Sequence, residues 1–123
     1  MNVQSSKGGL FAKNRFEEMK KIAIPKNMLG FQLGESTQIH SGGYLEATPH
    51  CVVRNEDIAG KKITRNTFAL FMQPDFVEEM KVPKGIDVEK AFHTQYGILQ
   101  IRDRWTNGML FKDFHMKTIQ HYS

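Results

Sequence analysis

His50, Arg65 and Thr67 are the residues of this chain whose types and spacing could do chemistry together. They fall in YLEATPHCVVRNEDIAGKKITRNTFALFMQP, residues 44–74, a pair of strand-like runs joined by a polar loop. An imidazole on a strand can serve as a metal ligand or as an ordinary hydrogen-bonded side chain. Residues two apart on a strand project to one side, so Arg65 and Thr67 together would offer a guanidinium fork and a hydroxyl, a good receptor for one carboxylate. The alternative is an arginine that ion-pairs with Glu46 or Asp57. Spacing alone leaves both choices open.

The other reactive side chains suggest less. His115 and His121 are six apart on an expected helix and so occupy different faces, while His40 sits beside turn glycines and His93 on a short helical stretch. No CxxC or HExxH occurs, which argues against a closed zinc site. There is no GxSxG. Cys51 follows His50 directly, so the two point to opposite faces of a strand and cannot act as nucleophile and base. SGGY and KGG lack the strand, loop and helix setting of a phosphate-binding loop. Glu17-Glu18 and Glu78-Glu79 read as solvated charges, and no residue is assigned a catalytic role.

The elements that would position these residues are short apolar runs punctuated by glycine and proline, the pattern of strands joined by turns. Strands are expected at 9–13 (GLFAK), at 21–25 (KIAIP, closed by a proline) and at 27–35, where Leu29, Phe31 and Leu33 alternate with Gly30, Gln32 and Gly34. HSGG (40–43) marks a turn. Residues 44–54 alternate, with Leu45, Ala47, Cys51 and Val53 on an apolar face and Tyr44, Glu46, Thr48, His50 and Val52 on the other. Residues 63–74 are apolar on both sides over their second half, as a buried central strand would be. Helices are expected only toward the C-terminus: 87–97, with Asp87 as N-cap, and 110–122, where Phe111, Phe114, Thr118, Ile119 and Tyr122 form a stripe that should pack on a sheet. There is no repeat, and the whole chain, 1–123, reads as a single domain.

Composition supports a globular protein: 123 residues, 40% hydrophobic and 24% charged. The net charge of +4 is mild and the lysines are scattered, so no nucleic-acid footprint is expected. A single cysteine excludes an internal disulfide and fits a reducing compartment; a cytoplasmic location is the expectation. No signal pattern opens the chain and no apolar run approaches bilayer length, so no membrane partner is expected.

Four stretches carry a resemblance: GGLFAK (8–13), MLGFQLGESTQIHSGGYLEATPHCVV (28–53), TRNTFALFMQP (64–74) and IRDRWTNGMLFKDFHMKTIQHY (101–122). In this order they resemble the C-terminal half of the iron(II)- and 2-oxoglutarate-dependent oxygenases of the isopenicillin N synthase-like group. The resemblance implies a mainly β fold, a double-stranded β-helix or jelly roll, here partial, with two sheets facing a cofactor pocket. It implies that His50 is the distal histidine of a 2-His-1-carboxylate iron site. Arg65 would pair with the distal carboxylate of 2-oxoglutarate, and Thr67 would stand where the family has serine. Fe(II) and 2-oxoglutarate are the implied cofactors. The implied reaction oxidises a small-molecule substrate as 2-oxoglutarate is decarboxylated to succinate.

One departure is as informative as the match. The family's first histidine and carboxylate come from a His-x-Asp motif upstream of the GGL segment, and this chain has no His-x-Asp. A single imidazole cannot hold iron with facial positions open for 2-oxoglutarate and dioxygen. The chain is therefore expected to be either a fragment of an active oxygenase, which the abrupt start at GGL favours, or a non-catalytic jelly-roll module that binds or self-associates. Half a jelly roll leaves strand edges and an apolar face uncovered, so the isolated chain is expected to form a homodimer or a domain-swapped assembly.

Overall fold

The computed structural model describes residues 8–54, 64–93 and 101–123. The chain forms two compact units, one of residues 1–31 and 48–70 and the other of residues 32–47 and 71–123. No helix among the described residues is long and apolar enough to cross a membrane.

The first unit is a three-stranded antiparallel sheet of β1 (Gly9–Lys13), β2 (Met19–Lys21) and β3 (His50–Val53), in the order β2-β1-β3. β1 occupies the expected 9–13. Its turn into β2 is set by Asn14, whose side-chain oxygen accepts from the backbone N–H of Phe16 at 2.9 Å and of Glu18 at 3.0 Å. These bonds hold Glu17 at a φ of 63°, a left-handed conformation that a residue with a Cβ adopts at some cost. β2 therefore starts earlier than KIAIP suggests and shares only Lys21 with it. Register aligns Phe11 with both Lys21 and Cys51, and Ala12 with His50.

The second unit holds the core. Helix α1 (Glu35–His40) precedes the two-stranded antiparallel sheet of β4 (Glu79–Met80) and β5 (Met109–Leu110), and helix α2 (Phe111–Tyr122) follows β5 directly. A 3₁₀ helix spans Val88–Phe92, and Asp87 caps it by accepting from the Glu89 N–H at 3.0 Å. Ile39, Met80, Ala91, Phe92, Ile101, Trp105, Phe111 and Phe114 are buried together. Burying each phenylalanine is worth about 1.5–3 kcal/mol. The indole of Trp105 packs against the Phe92 ring at 5.2 Å and donates to the Met80 carbonyl at 2.7 Å, so its one polar atom is satisfied in the interior.

Several expectations are corrected here. Residues 27–34 form no strand, and Glu35 belongs to a helix; helix thus enters well before the C-terminal third. Six residues are too few to display a helical period, and the alternation of Leu29, Phe31 and Leu33 imitates a strand. The strand expected over 44–54 is confined to His50–Val53. Residues 64–73 form no strand and are exposed through Met72. An apolar pattern tells which segment could enter a sheet; a strand also needs a ladder partner, and among the described residues 64–73 has none. The N-cap at Asp87 and the helix over 111–122, packed on β4 and β5, match expectation. The loop 55–62 with Asp57, and the expected helix beyond His93, lie outside the described residues.

Candidate functional site

His50 opens β3 and lies exposed, opposite Ala12 of β1. Its Nδ1 is 3.0 Å from the Thr48 carbonyl oxygen. A carbonyl only accepts, so Nδ1 carries the proton, and in the neutral ring the lone pair then sits on Nε2. That is the tautomer metal-ligating histidines take when a backbone carbonyl orients them. Cys51, its neighbour, is a free and exposed thiol. All four residues of β3 are exposed, so the polar and apolar faces expected for 44–54 are both open here.

Arg65 and Thr67 lie in the exposed, unladdered stretch 64–70 of the same unit. Their projection to one side was argued from a strand, and that strand does not form. Among the described residues no three or more of histidine, cysteine, aspartate and glutamate gather into a group that could hold a metal ion. One imidazole does not make an iron site, so these residues fit the implied cofactor in part only.

The other motif residues have structural work that sequence reasoning missed, apart from the turn it expected at HSGG. Gln38 is buried, and its amide donates to the Ala91 carbonyl at 2.8 Å and accepts from the Ala47 N–H at 2.9 Å. Ser41 Oγ accepts from the Leu45 N–H at 3.0 Å, and Gly42 and Gly43 turn the chain at φ of 64° and 80°. Gly43 approaches the 3₁₀ helix so closely that a Cβ there would lie 2.1 Å from the Lys90 carbonyl oxygen. Glu35 pairs with Arg104, joining the GES block to the DRW block. Gln38 lies in ESTQIH and Arg104 in IRDRWTN, among mostly polar neighbours, so no local signal marked either for burial. An open groove on this unit is lined by Ser41, Gly43, Tyr44, Ile86, Lys90 and His93, none of them a residue singled out for the iron or 2-oxoglutarate site.

The acidic pairs are solvated, as expected, but not idle. Glu18 is held below the usual carboxylate range by hydrogen bonds from Lys20 and Asn14, and Glu79 by a hydrogen bond from Lys81. Glu89 is lowered by the hydrogen bond from Arg102, which also lies 4.3 Å over the Phe92 ring. No protein-family model matches the chain, and neither a curated protein nor a solved structure matches it.

Proposed function

We propose that this chain is the C-terminal half of the jelly roll of an iron(II)- and 2-oxoglutarate-dependent oxygenase. In this reading His50 is one iron ligand, Arg65 and Thr67 receive the distal carboxylate of 2-oxoglutarate, and the remaining iron ligands come from a His-x-Asp segment outside the 123 residues. The observation that carries it is the set of four motif blocks in family order. Two contacts support it: Glu35 of one block ion-pairs with Arg104 of another, and His50 holds its ring by a bond from Nδ1 to a carbonyl. Iron bound with such partners would supply dioxygen activation coupled to decarboxylation of 2-oxoglutarate. This chain's own residues fit only a share of that site, so no step of the reaction is assigned to it alone.

The second reading, a non-catalytic jelly-roll module, is favoured by the absence of His-x-Asp. Two measurements separate them. The coding sequence upstream of Met1 should carry an in-frame His-x-Asp, and its absence overturns the oxygenase reading. The protein including that segment should convert 2-oxoglutarate to succinate with Fe(II), and His50→Ala should abolish the conversion. The isolated chain should show little change of melting temperature with Mn(II) alone, because one ligand binds weakly.

A further inference from the structure

The two units differ in charge. By sequence, with histidines neutral, the first unit holds ten lysines and arginines against four aspartates and glutamates, a net of +6. The second holds seven against nine, a net of −2, and the two together make the chain's +4. A charge that is mild overall is thus an excess of cations on one unit, the pattern of a protein that meets a polyanion.

The β1–β2 hairpin brings this charge together with exposed apolar side chains. Directly opposed residues of an antiparallel pair share a face, so the register Lys13↔Met19 and Phe11↔Lys21 sets two ammonium groups and Met19 on one side of the hairpin. Lysines distant in sequence become diagonal neighbours across the ladder. At the turn the Arg15 guanidinium lies 5.2 Å from the centre of the Phe16 ring, and Phe16 is 70% exposed. Asn14 fixes this turn by accepting from the Phe16 N–H, so the ring is presented on a held loop. Past β2 the chain continues with Ile22, Ile24, Met28 and Leu29, all exposed, around Lys26. Glu17 and Glu18 are the anions of this stretch, and Glu18 is paired with Lys20.

The apolar residues decide which polyanion fits. Nucleic-acid bases stack on aromatic rings, and residues 15–29 present one exposed ring against five exposed aliphatic or thioether side chains, Met19, Ile22, Ile24, Met28 and Leu29. Cations interleaved with such side chains suit the boundary between phosphate headgroups and acyl chains.

We propose that the first unit docks on an anionic lipid surface through the β1–β2 hairpin, Lys13 and Arg15 meeting the headgroups while Phe16 and Met19 enter the acyl boundary. The docking uses neither His50 nor Arg65, so it stands or falls apart from the oxygenase reading.

The test is co-sedimentation of the 123-residue chain with phosphatidylcholine vesicles containing about 30% phosphatidylserine. Binding is expected to these and not to pure phosphatidylcholine, and raising salt from about 0.1 to about 0.5 M should release the chain. Lys13→Glu with Arg15→Glu should weaken binding by more than about tenfold, and Phe16→Ser by about tenfold with its salt dependence unchanged. Arg15→Lys, which keeps the charge, should bind as the parent does. Lys84→Glu with Lys117→Glu makes the same charge change on exposed residues of the second unit and should weaken binding by less than about twofold. Equal losses in the two double variants overturn the proposal, because net charge and not the hairpin then governs binding. Failure to sediment, or equal binding to neutral vesicles, also overturns it. So does a single-stranded oligonucleotide that strips the chain from the vesicles at matched phosphate concentration, which would make nucleic acid the partner.

Discussion

Arg104 and Glu35 form a two-pronged, partly buried ion pair in the second unit, Nη1 donating to Oε2 at 2.8 Å and Nη2 to Oε1 at 2.5 Å. Arg104 is 2% exposed and also donates to Thr118 Oγ1 at 2.8 Å, so one guanidinium ties the first turn of α1 to the middle of α2. Burial opposes its charge, but the hydrogen bonds and charge of Glu35 prevail and hold it above the ordinary arginine range. Removing Glu35 takes two charge-assisted hydrogen bonds from a buried guanidinium. Glu35→Ala is expected to cost about 3 kcal/mol in urea unfolding. Arg104→Lys should recover little of an Arg104→Ala loss, since an ammonium cannot make the paired bonds. Equal stability of the lysine variant and the parent would contradict this.

Gly43 is expected to reject any side chain. At a φ of 80°, with the Lys90 carbonyl where a Cβ would be, alanine must both strain the backbone and push the 3₁₀ helix away. Gly43→Ala should lose more than about 2 kcal/mol. Gly85→Ala, at a φ of 85° with open space around it, should lose less because only the backbone term remains. Denaturant midpoints of the two variants make the comparison.

Acid should weaken the fold in a defined window. Glu18, Glu79 and Glu89 all have folded-state pKa values lowered from the ordinary 4.5 by cationic partners. A lowered pKa means that the stabilisation is present above the unfolded value and is lost as pH falls through the folded one. Thermal melts should therefore be level above about pH 5 and decline below pH 4.5. The three sites are exposed, so each effect is small and screened by salt. Glu89→Gln should flatten the acid limb slightly, and an unchanged limb in the triple glutamine variant would assign the decline to other groups.

In the protein that includes a His-x-Asp segment, Arg65→Ala should raise the KM for 2-oxoglutarate by ten- to a hundredfold, the worth of a charge-assisted pair. Thr67→Ala should raise it by less, and Thr67→Ser should be near neutral. An Arg65→Ala enzyme with unchanged KM for 2-oxoglutarate and unchanged turnover would remove Arg65 from the cofactor site.

What the sequence revealed depended on whether an element's cause was local. β1, the turn at Gly42 and Gly43, the Asp87 cap and α2 each have their reason within a few residues: alternation, a positive φ, a capping carboxylate, a helical stripe. α1 was hidden because its determinants are distant, Glu35 finding Arg104 and Gln38 finding Ala91. The segment 64–73 misled for the converse reason, since its apolar pattern is real but its partner is not among the described strands. His50 was read on its strand, and its carbonyl-held ring became visible only in three dimensions. The expected juxtaposition of Arg65 and Thr67 depended on a strand geometry that does not form.

Every buried apolar side chain of the core cluster, from Ile39 to Phe114, belongs to the second unit, while the sheet of the first unit has exposed residues along all of β2 and β3. Cooperative opening follows burial, so the backbone amides of the two units should exchange with solvent deuterium on different clocks. Amides in α2 would report the global unfolding free energy, and those of β3 a smaller, local one. The strand that presents His50 is then a part of the molecule whose order is open to adjustment by whatever binds beside it.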